Sequence, residues 1–226
     1  LYDYLKGTDR EDRLGPERAC SQGWISPKAM RMGIIVIISI ACLVGLSLVY
    51  FGGWQLIIVG ILCVVFAFAY TTGPYPLSYH GYGDILVLIF FGFVPVGGTY
   101  YVQALDWTWE VTLASLVCGL AINTLLIVNN YRDYAEDLKS GKRTLIVRFG
   151  QNFGAKFYLI IGILAGSILA GITTIILKED FHIIEHLLYV IGIFFFSSII
   201  ILIQYPLYFK YRYKKAKTVL AIVFLI

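Results

Sequence analysis

Apolar runs long enough to cross a lipid bilayer follow one another along almost the whole of this chain. They cover residues 33–50, 54–70, 85–102, 111–128, 157–177 and 187–208, and each is near the ~20 residues that span a hydrocarbon core. A seventh begins at Thr218 and reaches Ile226. A segment surrounded by lipid must satisfy its backbone polar groups internally, so the runs predict helices and an all-α, polytopic transmembrane helical bundle. The composition agrees: 59% of residues are hydrophobic and only 14% charged, whereas a soluble domain is about a quarter charged.

The loops between the runs alternate sides, and their cations do not. Of the 18 Lys and Arg residues, one side receives only Lys178. The positive-inside rule makes the other side cytoplasmic. The net charge of +4 is therefore a topology signal and gives no reason to expect nucleic acid as a partner. Cys42, Cys63 and Cys118 lie in apolar runs and Cys20 in a loop. They show no zinc or disulfide spacing and are expected to be small buried hydrophobes. The chain opens without Met in a charged segment and stops inside an apolar run. It is expected to be a fragment lacking material at both ends, and to form one transmembrane domain over residues 1–226.

The run at 111–128 is followed by NNYRDYAEDLKSGKRT, residues 129–144. In helical register Asn129, Asp133 and Asp137 sit at i, i+4 and i+8, on one face. Carboxylates repeating along a face repel, so a cation is expected among them. Oxygen ligands suit Mg²⁺, which typically takes one or two carboxylates plus substrate phosphates. Lys142 and Arg143 are placed to hold the phosphate oxygens left free. A charged turn after an apolar helix is ordinarily a solvated loop. Against that stands residues 1–26, LYDYLKGTDREDRLGPERACSQGWIS. Asp3-Tyr4 echoes Asp133-Tyr134, each followed by Lys, Gly and further charges, and both segments fall on the cytoplasmic face. Two such segments converging from helix ends would chelate metal between them.

Ser26 reads as an N-cap before Pro27. Residues 71–84, TTGPYPLSYHGYGD, suit a rigid loop or broken helix lining a cavity. Tyr70, Tyr75, Tyr79 and Tyr82 are candidates for an apolar channel whose rings stabilise a passing cation; the alternative is an interfacial belt. Asp84 opens the next span as a helix-dipole partner. Gly92, Pro95, Gly97 and Gly98 predict a kink. Asn123 is expected to be an interhelical hydrogen-bond partner. His182 and His186 have metal-ligand spacing, with no clear third ligand.

Three stretches, DYLKGTDREDRLGPER, YTTGPYPLSYHGYGD and NNYRDYAEDLKSGKRTLIVRFG, resemble motifs of the UbiA superfamily of intramembrane prenyltransferases. The likeness is greatest to the branch that prenylates 1,4-dihydroxy-2-naphthoate in menaquinone biosynthesis, through the Gly-Lys-Arg-Thr-Leu continuation at 141–145. The family's first motif opens with an Asn-Asp pair that would precede Leu1. The resemblance implies a bundle of nine helices, about seven of them represented here, in a bacterial cell membrane with the site loops cytoplasmic. It implies Mg²⁺ held by Asp3, Asp9, Asn129, Asp133 and Asp137. It further implies a polyprenyl diphosphate gripped by Lys6, Arg132, Lys142 and Arg143, and Tyr70 beside the allylic carbon. Asp133, Asp137, Lys142 and Tyr70 would then carry catalysis. Carbon dioxide would leave as the naphthoate is prenylated, giving demethylmenaquinol. The alternatives are a sister enzyme with a 4-hydroxybenzoate, haem or chlorophyllide acceptor, and a transporter. A transporter predicts acids deep in the spans; no apolar run here contains Asp or Glu.

Overall fold

A computed structural model of the chain describes residues 1–9 and 17–177, with the isolated positions Leu188 and Gly192. The expected span at 187–208, the run from Thr218, the His182/His186 pair and Lys178 lie outside the described residues. Among those described, every regular element is helical.

The spans begin and end where local chemistry dictates. Ser26 caps α2 (Pro27–Gly52): its side chain accepts from the Ala29 amide at 3.2 Å, and Pro27 occupies the first turn. A proline there gives up an N–H that would have had no helical partner. Gly53, at φ 83°, ends the helix and turns the chain into α3 (Gln55–Ala69), which has 15 residues and is too short for a full crossing. Thr108 caps α6 (Trp109–Arg132) by accepting from the Val111 amide. Four helices, at Pro27–Gly52, Gly83–Ala104, Trp109–Arg132 and Gln151–Thr174, are long and apolar enough to span a bilayer. The chain is an integral membrane protein. The first three of these spans run past their apolar runs at both ends, and the fourth begins six residues before its run.

The span at Gly83–Ala104 is not simply kinked. It starts as α4 (Gly83–Val87), widens into a ten-residue π-helical stretch over Leu88–Gly97, and returns to α-helix as α5 (Gly98–Ala104). Pro95 lies inside the wide stretch and cannot donate to the backbone ladder. The same stretch carries a close helix crossing. A Cβ on Gly92 would lie 2.5 Å from the Ser115 carbonyl and 2.8 Å from the Gly119 Cα; one on Gly119 would lie 2.7 Å from the Leu88 carbonyl. Two glycines thus let the backbones touch, the packing device of helices in lipid.

Among the described residues the buried core is small and runs from the middle of α6 toward its C-terminal end. Leu120, Ile127, Ile146, Ile161 and Ala165 form it, joining α6, α8 (Leu145–Phe149) and α9 (Gln151–Leu177). Ile146, 1% exposed, is the wedge, and Gly154 makes room for it. Most large apolar side chains of α2 and α3 face outward, as lipid-facing helices require. Of the cysteines, only Cys20 is buried; Cys42 is exposed and Cys63 and Cys118 are intermediate, all with free thiols. The expectation of buried thiols fails for Cys42, which is exposed on α2.

Candidate functional site

The two acidic segments meet. Around a cavity of ≈ 280 Å³ stand Asp3, Thr8 and Asp9 from the N-terminal segment, and Tyr70, Thr71 and Ser78 from the end of α3 and the tyrosine loop. Gly83 and Asp84 come from α4, and Asn129, Asn130, Arg132, Asp133, Glu136, Asp137 and Lys142 from the end of α6 onward.

The chain from Asn129 to Asp137 is not one straight helix, as the i, i+4, i+8 reading expects. α6 ends at Arg132, Asp133 takes φ −86° and ψ 8°, and α7 (Tyr134–Lys139) restarts on it. The Asp133 amide still donates to the Asn129 carbonyl at 2.9 Å and the Asp137 amide to the Asp133 carbonyl at 2.8 Å. The three residues therefore keep to one side while the axis bends. Asp137 turns inward to 7% exposure, and Asn129 stays exposed at the cavity mouth. The sequence echo is repeated in the backbone. α1 (Tyr2–Leu5) is followed by Gly7 at φ 73° and α7 by Gly141 at φ 76°, a conformation that glycine adopts without strain.

Four acids of the cavity wall, Asp3, Asp9, Asp133 and Asp137, each meet a cation. The Arg132 guanidinium grips Asp133 with two hydrogen bonds, at 2.6 and 2.8 Å. The Lys142 ammonium stands between the two segments, 3.7 Å from Asp3 and 3.8 Å from Asp137. Arg18 lies 3.8 Å from Asp9. Burial pushes the Asp137 carboxyl up to about 6; Asp133, Glu136 and Asp3 push the same way and Lys142 opposes. Burial thus outweighs the neighbouring lysine.

Tyr79 joins the parts. Its hydroxyl donates to Asp3 at 2.9 Å and lies 3.0 Å from the Thr8 hydroxyl. Its carbonyl accepts from the Arg143 amide at 2.8 Å. The Lys6 and Lys142 ammonium groups lie 4.5 and 5.1 Å from its ring centroid. Burial pushes its hydroxyl up to about 12, so it remains a donor. Tyr70 is likewise raised to about 12, first by burial and then by Asp84, Asp3 and Asp137. Tyr75 and Tyr82 do not line a channel: both are exposed, and Tyr75 stacks on His80 at 3.6 Å. Lys6 and Arg143 are not on the cavity wall. Lys6 donates to the Thr71 carbonyl at 2.6 Å, and the Arg143 side chain is exposed. Arg148, which carried no role in the sequence reading, ties the tyrosine loop down by donating to the His80 and Arg143 carbonyls.

Among the described residues no three His, Cys, Asp or Glu side chains converge on one point as a metal cage does. The carboxylates are instead spread around the cavity, with Lys142 where a cation is needed. This fits a hard ion such as Mg²⁺, which keeps several waters and shares its ligands with phosphate oxygens.

A transmembrane helical bundle with a polar cavity lined from two acidic segments defines a membrane-embedded protein with its candidate site at the helix ends. The model of the UbiA prenyltransferase family matches residues 1–225, and the chain belongs to that family. It is 39% identical over 170 residues to the 1,4-dihydroxy-2-naphthoate octaprenyltransferase of Haemophilus influenzae, covering 70% of this chain and 54% of that one. The Escherichia coli protein of the same name is 39% identical over 155 residues, covering 66% and 50%. The Mycobacterium tuberculosis one is 35% identical over 175 residues, covering 77% and 58%. The chain spans about half the length of the curated relatives it matches. No solved structure matches it.

Proposed function

We propose that the protein to which this chain belongs transfers a polyprenyl group from its diphosphate to 1,4-dihydroxy-2-naphthoate, with loss of carbon dioxide, within a bacterial cell membrane. The observation that carries the reading is the meeting of Asp3 and Asp137, 134 positions apart in sequence, on the two sides of one lysine. A diphosphate is the kind of polyanion that such a site exchanges for its own internal ion pairs.

Asp3, Asp9, Asn129, Asp133 and Asp137 offer the oxygen donors for Mg²⁺, which would screen the charge that develops on the departing diphosphate. Lys142 is free to swing from Asp3 and Asp137 onto phosphate oxygens once a metal takes those carboxylates. Arg132 lines the cavity and holds Asp133 in register through two hydrogen bonds. Tyr70, uncharged at neutral pH, turns a ring and a hydroxyl toward the reacting end without becoming a competing nucleophile. The exposed apolar sides of the spans suit a donor whose tail lies in lipid. Lys6 and Arg143 act from outside the wall, Lys6 by fixing Thr71 and Arg143 by anchoring its backbone to Tyr79. The site face is cytoplasmic by the charge of its loops.

Membranes holding the full-length parent test this. With a polyprenyl diphosphate and Mg²⁺, the naphthoate should give a prenylated product and carbon dioxide, and 4-hydroxybenzoate should give none. Product from the benzoate alone overturns the acceptor. No product from either overturns the reading.

A further inference from the structure

One carboxyl of the cavity does not share the character of the rest. Asp84 lines the same cavity from α4 and is 7% exposed, yet among the described residues no Lys or Arg pairs with it, whereas Asp3, Asp9, Asp133 and Asp137 each have a cation. Its neighbour is Asn123 of α6, 4% exposed, whose side chain hydrogen-bonds the Asp84 carboxyl. The Asn123 Oδ1 is buried without any partner. A buried polar atom left unpaired is costly and calls for a reason. The Gly92–Gly119 crossing supplies the geometry: it draws together the two helices that carry Asp84 and Asn123. Gly83 meanwhile sets the Tyr70 hydroxyl beside Asp84, 3.4 Å from where a Gly83 Cβ would stand.

We propose that Asp84 is the anchor of the aromatic acceptor, accepting a hydrogen bond from a ring hydroxyl, with Asn123 as the residue that positions its carboxyl. Pairing divides the acids of the cavity into two kinds. Those that share a cation suit a diphosphate and its metal, which can take over those cations. An acid without a cation repels a diphosphate but is a strong acceptor for a neutral O–H. A bond from the hydroxyl to a carboxylate also pushes electron density into the ring, toward the carbon that must attack. Asn123, which is not on the cavity wall, hydrogen-bonds the Asp84 carboxyl, and Asp84 itself lines the cavity that the substrate would enter. The inference rests on the function proposed above, because that reading supplies an acceptor with ring hydroxyls.

The test uses the full-length parent in detergent, with binding of 1,4-dihydroxy-2-naphthoate followed by its own fluorescence and transfer followed by product. Asp84→Asn should weaken acceptor binding and raise its KM by at least about tenfold, the effect of losing one hydrogen bond to a charged group. The KM for the polyprenyl diphosphate should stay within about twofold, which also shows that the variant is folded. Asn123→Leu should move the acceptor constants in the same direction and leave the donor constant alone. Of the two mono-O-methyl ethers of the naphthoate, the one that blocks the anchored hydroxyl should bind wild type and Asp84→Asn equally poorly. Unchanged acceptor constants in Asp84→Asn, a parallel rise in the donor constant, or both ethers binding wild type as well as the parent acceptor would overturn the assignment. A wild-type protein that binds the naphthoate but transfers nothing refutes the proposed function, and the binding comparison still decides the role of Asp84.

Discussion

Gly92→Val probes the joint on which the site is built. Its Cβ would lie 2.5 Å from the Ser115 carbonyl oxygen, 2.8 Å from the Gly119 Cα and 3.0 Å from the Gly119 nitrogen. All three are backbone atoms of the neighbouring helix, so no side chain can swing away. Ordinary contact begins near 3.4 Å, and the helices must part by roughly the difference, before the two valine methyl groups are counted. Overpacking of this kind costs typically 1–3 kcal/mol, and a rigid backbone on both sides places this case at about 3 kcal/mol. For a chain of this size that corresponds to a fall of roughly 6–12 °C in the unfolding temperature. The assay is thermal unfolding of the full-length parent in detergent, followed by tryptophan fluorescence. Gly45→Ala is the control, because a Cβ there meets nothing within 4 Å and alanine is the better helix former. Gly92→Val should also lose prenyl transfer, since parting the helices separates Asp84 from Asn123. Unfolding within about 1 °C of wild type would refute the close crossing, because even a 1 kcal/mol cost moves the midpoint by more.

Two further outcomes follow from the polar network. Tyr79→Phe keeps the ring between Lys6 and Lys142 but removes the bond to Asp3. The KM for the polyprenyl diphosphate should rise by about tenfold or more, the usual effect of losing a hydrogen bond to a charged group, and a change under twofold would count against the link. Asp137 gives a pH signature. Its folded carboxyl is raised to about 6 from 3.8, so the native state holds a proton that the unfolded chain has released. Its contribution to stability is therefore full below about pH 4 and falls by on the order of 3 kcal/mol as pH rises to about 6, then stays flat. Metal-free protein should lose thermal stability over that window more steeply than Asp137→Asn, while Mg²⁺ affinity should rise over the same window. Identical pH profiles for the two proteins would contradict the buried placement.

The spans were legible because lipid leaves a long apolar run only one conformation, and the cap at Ser26-Pro27 was readable from its residue types alone. So was the pairing of the two acidic segments, since the Asp-Tyr echo and the trailing Lys and Gly recur in both. The bend at Asp133 was not, because an i, i+4 pattern survives a kink that keeps the hydrogen bonds to Asn129 and Asp137. Lys6 and Arg143 looked equivalent to Lys142 by charge and proximity, and only the fold decides which of three cations turns inward. The π-helical winding over Leu88–Gly97 could be foreseen as some distortion from Pro95 and the glycines. Its form depends on Gly119, which lies in another helix and carries no local signal. Tyr79 was one of four similar tyrosines until its hydroxyl was seen on Asp3.

The central claim is that the two acidic segments act together on one metal-bound diphosphate. The most direct measurement is binding of a non-hydrolysable farnesyl thiodiphosphate to the full-length parent, to Asp3→Asn, to Asp137→Asn and to the double variant, each with and without Mg²⁺. If the segments share the metal, the losses are non-additive by about 1 kcal/mol or more with Mg²⁺ and the coupling vanishes without it. Additive losses, or a coupling indifferent to Mg²⁺, would contradict a shared site.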